Sequence, residues 1–253
     1  MENVEKIVGV VSGKGGVGKT TFVSNMGMAL TEMAADITVV DADLSTSNLG
    51  LQLGLYQFPV GLQDALNGRM DVNNTIYMHP SGLRIIPSSV SLEYINQVIN
   101  PYRLKNLLSG IEGIVMIDSP PGLGRDVSLV LKACDDVIVI TNPEITAVTD
   151  AFKVVEVSRG MGKEPSGIVI NRSRGKHELK PQEIEDMCGV KVVGIIPEDD
   201  TIRRSIYEKV PLVKYRPYSP ASLAFRRLAA EMMGIEYRKP MFSTIKRILG
   251  VSG

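Results

Sequence analysis

Residues 13–20 read G-K-G-G-V-G-K-T, which matches the pattern G-x-x-x-x-G-K-[ST]. Glycines in such a loop let backbone N–H groups turn inward onto phosphate oxygens, and the helix that follows adds the positive end of its dipole. Lys19 is expected to reach the β- and γ-phosphates of a nucleotide, and the Thr20 hydroxyl to bind Mg²⁺. The sequence therefore predicts nucleotide contacts from nine consecutive residues: Gly13, Lys14, Gly15, Gly16, Val17, Gly18, Lys19, Thr20 and Thr21.

Carboxylates stand at the ends of two apolar runs. Asp118 ends the run GIVMID, while Asp41 and Asp43 belong to VVDAD. A carboxylate at the position of Asp118 can hold Mg²⁺ through its water shell. A single acidic residue after a strand is often a helix cap, but two of them spaced by one residue favour positioning of water or metal. We therefore predict Thr20, Asp118 and Asp43 as metal-binding residues, and no arginine, glutamine or histidine stands out as an alternative for orienting water.

Composition narrows the class of protein. Lysine plus arginine and aspartate plus glutamate both number 28, so the net charge is zero, whereas bulk nucleic-acid binding usually leaves an excess of positive charge. Cys134 and Cys188 stand far apart, which argues against a zinc site or a disulfide framework. His79 and His177 lie in polar contexts and are expected to be solvent-exposed. With no visible signal peptide and no apolar run near the roughly 18 residues that span a bilayer, a cytosolic protein is expected.

The elements that must position these groups can be predicted from hydrophobic patterning. Seven apolar runs rich in β-branched residues mostly lack alternation, which is typical of strands buried on both faces. They read KIVGVVS, ITVVD, LRIIPS, GIVMIDSP, DVIVITNP, SGIVINR and KVVGIIPED. Helical patterns lie between them, such as TTFVSNMGMALTEM, DVSLVLKAC, TAVTDAFKVVEVSR and ASLAFRRLAAEMMG. The alternation predicts an α/β fold with a doubly wound, mostly parallel sheet, and the polar residues that follow the strands should meet at one edge.

The second lysine of the loop, Lys14, has no role in the phosphate pattern itself. The run K-G-G-V-G-K-T resembles the deviant phosphate-binding motif of the MinD/ParA family of P-loop NTPases, and the archaeal MinD type is the most similar. In that family the first lysine reaches across an ATP-sandwich dimer to the phosphates bound by the other subunit. The resemblance thus implies a P-loop NTPase fold, ATP and Mg²⁺ as cofactors, and a homodimer in which Lys14 acts as an arginine finger does.

The resemblance extends over nearly the whole chain. VVDADLSTSNLG resembles the family's switch I, and IDSPPGLGRD resembles its switch II, although many members have alanine in place of Pro121. Asp43 would orient the hydrolytic water, which makes Lys14, Lys19 and Asp43 the implied catalytic residues. NPEITAVTDAFK resembles the segment whose acidic residues, here Glu144 and Asp150, contact the signature lysine. VINR and IPEDDTIRRSIYEKVPLV resemble the adenine-side motifs, which implies nucleotide contacts from Asn171, Arg172, Pro197, Glu198 and Asp199.

The last thirteen residues, MFSTIKRILGVSG, form an amphipathic pattern. On a helix, five apolar residues of this stretch fall within one arc of about 120°, and the basic residues lie outside it. The five are Met241, Phe242, Ile245, Ile248 and Leu249. Such a pattern reads as an interfacial helix on an anionic membrane, or as a helix that packs on the body, and it resembles the membrane-targeting helix of MinD proteins. The predicted membrane-binding residues are Met241, Phe242, Ile245, Lys246, Arg247, Ile248 and Leu249.

Together these observations predict an ATPase domain over 1–235, a linker over 236–240 and a membrane-targeting helix over 241–253. The implied function is that of an ATP-dependent dimer that binds the inner face of the cell membrane reversibly, responds to an activating or effector protein, and positions the division site. Two alternatives share the nucleotide site: a ParA-type ATPase for DNA segregation and a placement factor for flagella or chemosensory arrays. An iron–sulfur carrier ATPase is disfavoured because the chain lacks a Cys-x-x-Cys pair.

Overall fold

The computed structural model describes residues 6–43, 47–88 and 100–237. The predicted membrane-binding residues and most of the predicted linker lie outside these ranges, and so does part of the switch I motif. Within them the chain forms one eight-stranded sheet with the order β3-β4-β2-β5-β1-β6-β7-β8. The strands are β1 (Lys6–Val11), β2 (Ile37–Asp41), β3 (Tyr77–Met78), β4 (Arg84–Ile86), β5 (Ile114–Asp118), β6 (Asp136–Thr141), β7 (Gly167–Ser173) and β8 (Val192–Pro197).

Helices follow most of the strands. They are α1 (Lys19–Glu32), α2 (Leu49–Gln52), α3 (Leu62–Leu66), α4 (Pro101–Leu108), α5 (Arg125–Ala133), α6 (Ile145–Gly160), α7 (Pro181–Cys188), α8 (Thr201–Tyr207), α9 (Leu212–Tyr215) and α10 (Pro220–Met232). A short 3-10 helix spans Val72–Thr75. The antiparallel pair β3–β4 lies at one edge of the sheet, and the other strand pairs are parallel.

The sheet has an apolar core on each face, which confirms the predicted doubly wound fold. Helices α1, α9 and α10 pack together on one face, where Phe22 of α1 meets Phe225 of α10 with ring centroids 6.0 Å apart. Helices α4 to α7 cover the other face, and Val130 of α5 and Val154 of α6 are buried in its core. The central strands are buried along their whole length because both faces are covered. Parallel strands then bring their carboxyl ends to one edge, where β1, β2 and β5 deliver the site.

Two features differ from the sequence-based expectations. Strand β3 was not predicted, because two residues are too few to show a period. His79 was expected to be exposed but is buried, with 4% of its surface accessible. Its Nδ1 accepts the Ser81 N–H at 3.0 Å, and its Nε2 lies 3.0 Å from the Lys209 carbonyl oxygen, so both ring nitrogens have partners. Within the described ranges, no helix combines the length and apolarity needed to cross a membrane.

Candidate nucleotide-binding site

The glycine-rich loop joins β1 to α1 and is held from outside by two other elements. A Cβ on Gly13 would lie 2.1 Å from the backbone oxygen of Asp150 in α6, so only glycine allows this contact. Gly18 has a φ of 96° and immediately precedes α1. A Cβ there would lie 2.3 Å from the Asn171 amide nitrogen, which donates to the Val17 oxygen at 2.7 Å. The loop is therefore pressed between α6 and the end of β7.

The loop opens onto a cavity of about 320 Å³. The structure brings many of the predicted nucleotide and metal residues together around it: Gly15, Gly16, Gly18, Lys19, Thr20, Thr21, Asp43, Asp118 and Arg172. The sequence reasoning missed five further lining residues, which are Asn48, Gln52, Ser119, Pro121 and Ile206. Gln52 is the most important of these for hydrolysis. It places a second polar side chain beside Asp43 among the residues that line the cavity, and the sequence had suggested no glutamine that could orient water.

The two lysines of the loop occupy different environments. Lys19 is 7% exposed, and its Nζ donates to the Ser12 Oγ at 2.9 Å. Burial lowers the pKa of Lys19, while Asp118 and Asp43 act in the opposite direction. Lys14 is exposed and is not among the residues that line the cavity. Of the two loop lysines, Lys19 is therefore the one inside the cavity, and the charge of Lys14 is presented to solvent.

Asp118 lies at the floor of the cavity and fits a role beside a metal ion. It is 2% exposed, and its Oδ1 has no hydrogen-bond partner among the described residues. Burial raises the pKa of Asp118 to about 6, whereas the Thr20 hydroxyl and Lys19 lower it. A buried acceptor without a donor is costly, so this oxygen is suited to the water shell of Mg²⁺. Thr20, Asp43 and Asp118 line one cavity, as a shared metal would require.

Asp41 and Asp43 were considered together, and the structure separates them. Asp41 is fully buried and holds the start of α2: its Oδ2 accepts the Ser47 hydroxyl at 2.9 Å and the Asn48 and Leu49 N–H groups at 3.0 and 3.1 Å. Its Oδ1 accepts the Asp43 N–H at 3.1 Å. Asp41 therefore fixes the backbone of switch I by hydrogen bonds, and Asp43 lines the cavity. Gln52, at the end of α2, depends on the same anchor.

The predicted adenine-side residues lie at the ends of β7 and β8. Arg172 lines the cavity and has a φ of 56°, whereas Pro197, Glu198 and Asp199 are not among the lining residues. Asp199 instead accepts the Thr201 N–H at 3.0 Å at the start of α8. Their nucleotide contacts stay predictions.

The acidic residues expected to meet the signature lysine belong to α6. Glu144 directly precedes the helix, and Asp150 pairs with Lys153 at 2.9 Å. Neither forms an ion pair with Lys14 among the described residues. Asp150 nevertheless lies against Gly13, which immediately precedes Lys14. Their contact with the lysine of a second subunit stays a prediction.

Switch II reaches the loop from the β5 side. The Gly122 N–H donates to the Ser12 oxygen at 3.0 Å, and Pro121 lies 3.8 Å from the position of a Cβ on Gly15. The sequence marked Pro121 as a departure from the alanine of many family members, and its place beside the phosphate loop depends on a tertiary contact. Movement of switch II would therefore shift the phosphate-binding loop directly.

A glycine loop, a buried lysine and an unsatisfied strand-end carboxylate occur here on a doubly wound sheet. The family model of the CobQ/CobB/MinD/ParA nucleotide binding domain matches residues 8–212. The chain belongs to this family. Membership in the MinD/ParA family confirms the resemblance and the fold read from the sequence, and the family's nucleotide binding agrees with ATP and Mg²⁺ as cofactors.

Individual relatives narrow the comparison within the MinD/ParA family. An uncharacterized ATP-binding protein of Methanocaldococcus jannaschii is 37% identical over 91% of this chain and 88% of its own length. The structure of the cell division ATPase MinD of Pyrococcus furiosus is 34% identical with a TM-score of 0.84, over 91% of this chain and 99% of the other. The septum site-determining protein MinD of Pyrococcus horikoshii, whose structure is complexed with Mg-ADP, is 35% identical in sequence. Its TM-score is 0.82, over 90% of this chain and 95% of the other.

Proposed function

We propose that the protein is a MinD-type ATPase that dimerises on ATP, hydrolyses it with Mg²⁺, binds the membrane reversibly and positions the division site. The observation that carries this proposal is the unequal placement of the two loop lysines. Lys19 is buried in the cavity and bonded to Ser12, whereas Lys14 is exposed on the same loop. One cation serves the nucleotide of its own chain, and the other is available to the nucleotide of a second copy.

The residues of the cavity have separable roles in hydrolysis. Lys19 exchanges its bond to Ser12 for the β/γ-phosphate oxygens, and loop N–H groups cradle the rest of the phosphate chain. Thr20, Asp118 and Asp43 would hold Mg²⁺, which would supply positive charge to the phosphates. Asp43 orients the attacking water, with Gln52 beside it in the cavity lining. Lys14 of the second copy adds positive charge as the reaction concentrates negative charge on the transferred group.

The membrane part of the proposal depends on residues 241–249, which lie outside the described ranges. Each basic residue near an anionic leaflet contributes about 1 kcal/mol. The five apolar side chains of the arc add roughly 1.5–3 kcal/mol each if fully buried. Ordering the segment costs about 1–2 kcal/mol per residue, which offsets most of this gain, so a single copy binds marginally. Two linked copies gain about 10²–10⁴ in avidity. ATP-driven dimerisation would therefore switch the protein from the cytoplasm to the inner face of the membrane.

An effector protein completes the proposed cycle. ATP and membrane together hold the dimer, so a partner that stimulates hydrolysis would release it. The predicted partners are thus a second copy, an anionic membrane and an activating protein. No specific nucleic acid is required, since the net charge is zero.

Sedimentation with anionic vesicles tests the proposal. Wild-type protein should sediment more in ATP than in ADP, and high salt should weaken binding because exposed charges are screened over about 10 Å at 0.1 M. Ile248→Glu puts a carboxylate on the apolar arc and should abolish sedimentation while nucleotide binding persists. Ser243→Glu adds the same charge outside the arc and should retain more binding. Equal sedimentation in ATP and ADP would contradict the switch.

The cellular role needs its own measurement. A fluorescent fusion should be found at the membrane and should mislocalise with Ile248→Glu, and cells expressing this variant alone should misplace their division sites. Normal division with a mislocalised protein would contradict the division-site role. Misplaced flagella or chemosensory arrays would favour the placement-factor alternative.

A further inference from the structure

The sheet ends at β8 in an apolar groove. A cavity of about 290 Å³ runs along residues 192–195, with α7 on one side and α10 on the other. Val193 and Ile195 in its floor are 36% and 44% exposed. Leu228 and Glu231 of α10 and Glu185 of α7 are among its walls. Within the described ranges β8 pairs with β7 alone, so its outer backbone groups face this groove.

An uncovered groove of this kind calls for an occupant. Edge strands with exposed apolar side chains are templates for unwanted pairing, and proteins commonly cover them with a helix or a loop. The edge at β3 is protected by its shortness, since β3 has two residues. β8 has six residues and carries two exposed aliphatic side chains. It is therefore the edge that needs a cover.

The path of the chain after α10 leads back toward this groove. The helix ends at Met232, Gly234 turns with a φ of 65°, and the Ile235 N–H donates to the Ala230 oxygen at 2.8 Å. The Tyr237 hydroxyl is buried, and burial raises its pKa, while Arg226 and Arg227 of α10 are near enough to oppose that shift. The described part of the chain therefore ends within electrostatic range of Arg227, a residue of the groove wall.

The residues that follow fit the groove in reach and in chemistry. Arg227 of the groove wall acts on the Tyr237 phenol, and residues 238–240 add at most about 11 Å of extended chain before residue 241. The next residues hold the apolar arc of Met241, Phe242, Ile245, Ile248 and Leu249. The segment contains four basic residues and no acidic one, whereas Glu231 in the groove wall forms no ion pair within the described ranges. The Tyr237 hydroxyl is buried without a partner there, so a donor or acceptor from the segment would also satisfy it.

We propose that segment 238–253 docks its apolar arc into the β8 groove of its own chain when the protein is free in solution. The same arc then cannot enter a membrane, so groove and membrane compete for one apolar face. The docking of the segment into the groove does not depend on membrane binding, whereas the competition between groove and membrane rests on the proposed function. A tethered segment has an effective concentration in the millimolar range, which favours it over a second copy or a separate partner.

Hydrogen–deuterium exchange of the full-length protein without nucleotide tests the docking. Ile195→Asp introduces a charge into the groove floor and should increase amide exchange in peptides covering 241–249 by about fivefold or more. The matched control is Met78→Asp, since Met78 is 64% exposed on β3 at the opposite edge of the sheet. It should leave exchange in 241–249 unchanged. Nucleotide binding by each variant checks that it is folded.

The reciprocal variants change the segment instead of the groove. Ile245→Asp, on the apolar arc, should expose the amides of residues 192–195 by a similar factor. Ser243→Asp, outside the arc, should not. If exchange in the groove and in the segment is independent in both sets of variants, the docking proposal is wrong. Protection that increases with protein concentration would assign the groove to a second copy and would also overturn it.

Vesicle binding separates this proposal from the proposed function. With docking and membrane binding both correct, Ile195→Asp should increase sedimentation in ADP several-fold relative to Met78→Asp. If amide exchange changes in the variants as expected but the protein does not bind vesicles, the docking proposal is supported and the membrane role is refuted. Wild-type vesicle binding with no response of exchange would refute the docking and keep the membrane role.

Discussion

Two buried carboxylates, Asp41 and Asp118, end neighbouring strands below the phosphate loop, and their surroundings treat them differently. Asp41 accepts four hydrogen bonds that hold switch I in place. Asp118 keeps one oxygen without a donor among the described residues. The unsatisfied oxygen lowers the stability of the nucleotide-free protein, since a buried charge without full hydrogen bonding is costly. At the residue scale, an oxygen of Asp118 that remains available to a metal ion therefore lowers the free energy of unfolding of the nucleotide-free protein.

Replacing Asp118 by asparagine should make that cost measurable. The pKa of Asp118 in the folded protein is about 6, above its ordinary value of 3.8. Between those values the folded protein holds a proton that the unfolded chain releases, so the free energy of unfolding falls as pH rises. Asp118→Asn has no such proton, and above pH 6 it should exceed the wild type in unfolding free energy by about 1–3 kcal/mol.

Denaturant unfolding without nucleotide at a series of pH values would check this. The advantage of Asp118→Asn should shrink as pH falls from 6 to 4. Asp126→Asn, at an exposed carboxylate in the first turn of α5, is the control and should change stability by less than about 0.5 kcal/mol. Mg²⁺-dependent nucleotide binding should be lost in Asp118→Asn alone. An advantage that does not depend on pH would show that the carboxylate is not the source of the cost.

At the scale of elements, the loop takes its shape from its neighbours. Gly13 touches the Asp150 backbone in α6, Gly18 touches Asn171 near the end of β7, and Ser12 accepts from the Gly122 N–H after β5. None of these contacts is local in sequence. The loop is thus preorganised for phosphate by three separate elements, which reduces the ordering cost of binding.

Gly13→Ala should damage this arrangement. The new methyl group would lie 2.1 Å from the Asp150 oxygen, and a backbone atom cannot move away as a flexible side chain does. We expect nucleotide affinity to fall by about tenfold or more, together with a lower melting temperature. Gly160→Ala, at the other end of α6, meets no atom within 4 Å and should change neither quantity appreciably. Fluorescent-nucleotide titration and thermal unfolding measure both, and equal affinity in the two variants would contradict the clamp.

The elements themselves were largely predictable. The seven apolar runs became strands and the four helical patterns became helices, because burial on both faces leaves continuous apolar sequence. The sequence patterns did not predict the six shorter helices, since four to eight residues are too few to establish a period; these are α2, α3, α4, α7, α8 and α9. The seven residues of α8, TIRRSIY, contain few apolar side chains and were recognised only as part of the adenine-side motif.

The site could be predicted where a motif specifies it and not where tertiary contacts build it. Lys19 and Thr20 follow from the loop pattern, and Asp118 follows from a carboxylate at a strand end. Gln52 carries no signal of its own, because it reaches the cavity only through the anchoring of α2 by Asp41. His79 was wrongly expected to be exposed, because its burial depends on Lys209, which is 130 residues away in sequence.

At the scale of the whole molecule, the account concerns a dimer. Asp43→Ala should trap the ATP state, because Thr20 and Asp118 still hold the metal while the attacking water loses its orienting group. Light scattering should give a dimer in ATP and a monomer in ADP, and vesicle residence should lengthen. A monomer of Asp43→Ala in ATP would contradict the assignment of Asp43.

Mixing two inactive variants tests the central claim, that Lys14 serves the nucleotide of the other subunit. Lys14→Ala and Asp43→Ala should each hydrolyse ATP poorly when measured alone on anionic vesicles. In a mixed dimer the Lys14→Ala subunit keeps its own Asp43 and receives Lys14 from its partner, so one of the two sites is complete. An equal mixture, combined before ATP is added, should regain about a quarter of the wild-type rate, because about half the dimers are mixed. Mixtures no faster than the separate variants, or a Lys14→Ala protein with the normal rate, would contradict the claim.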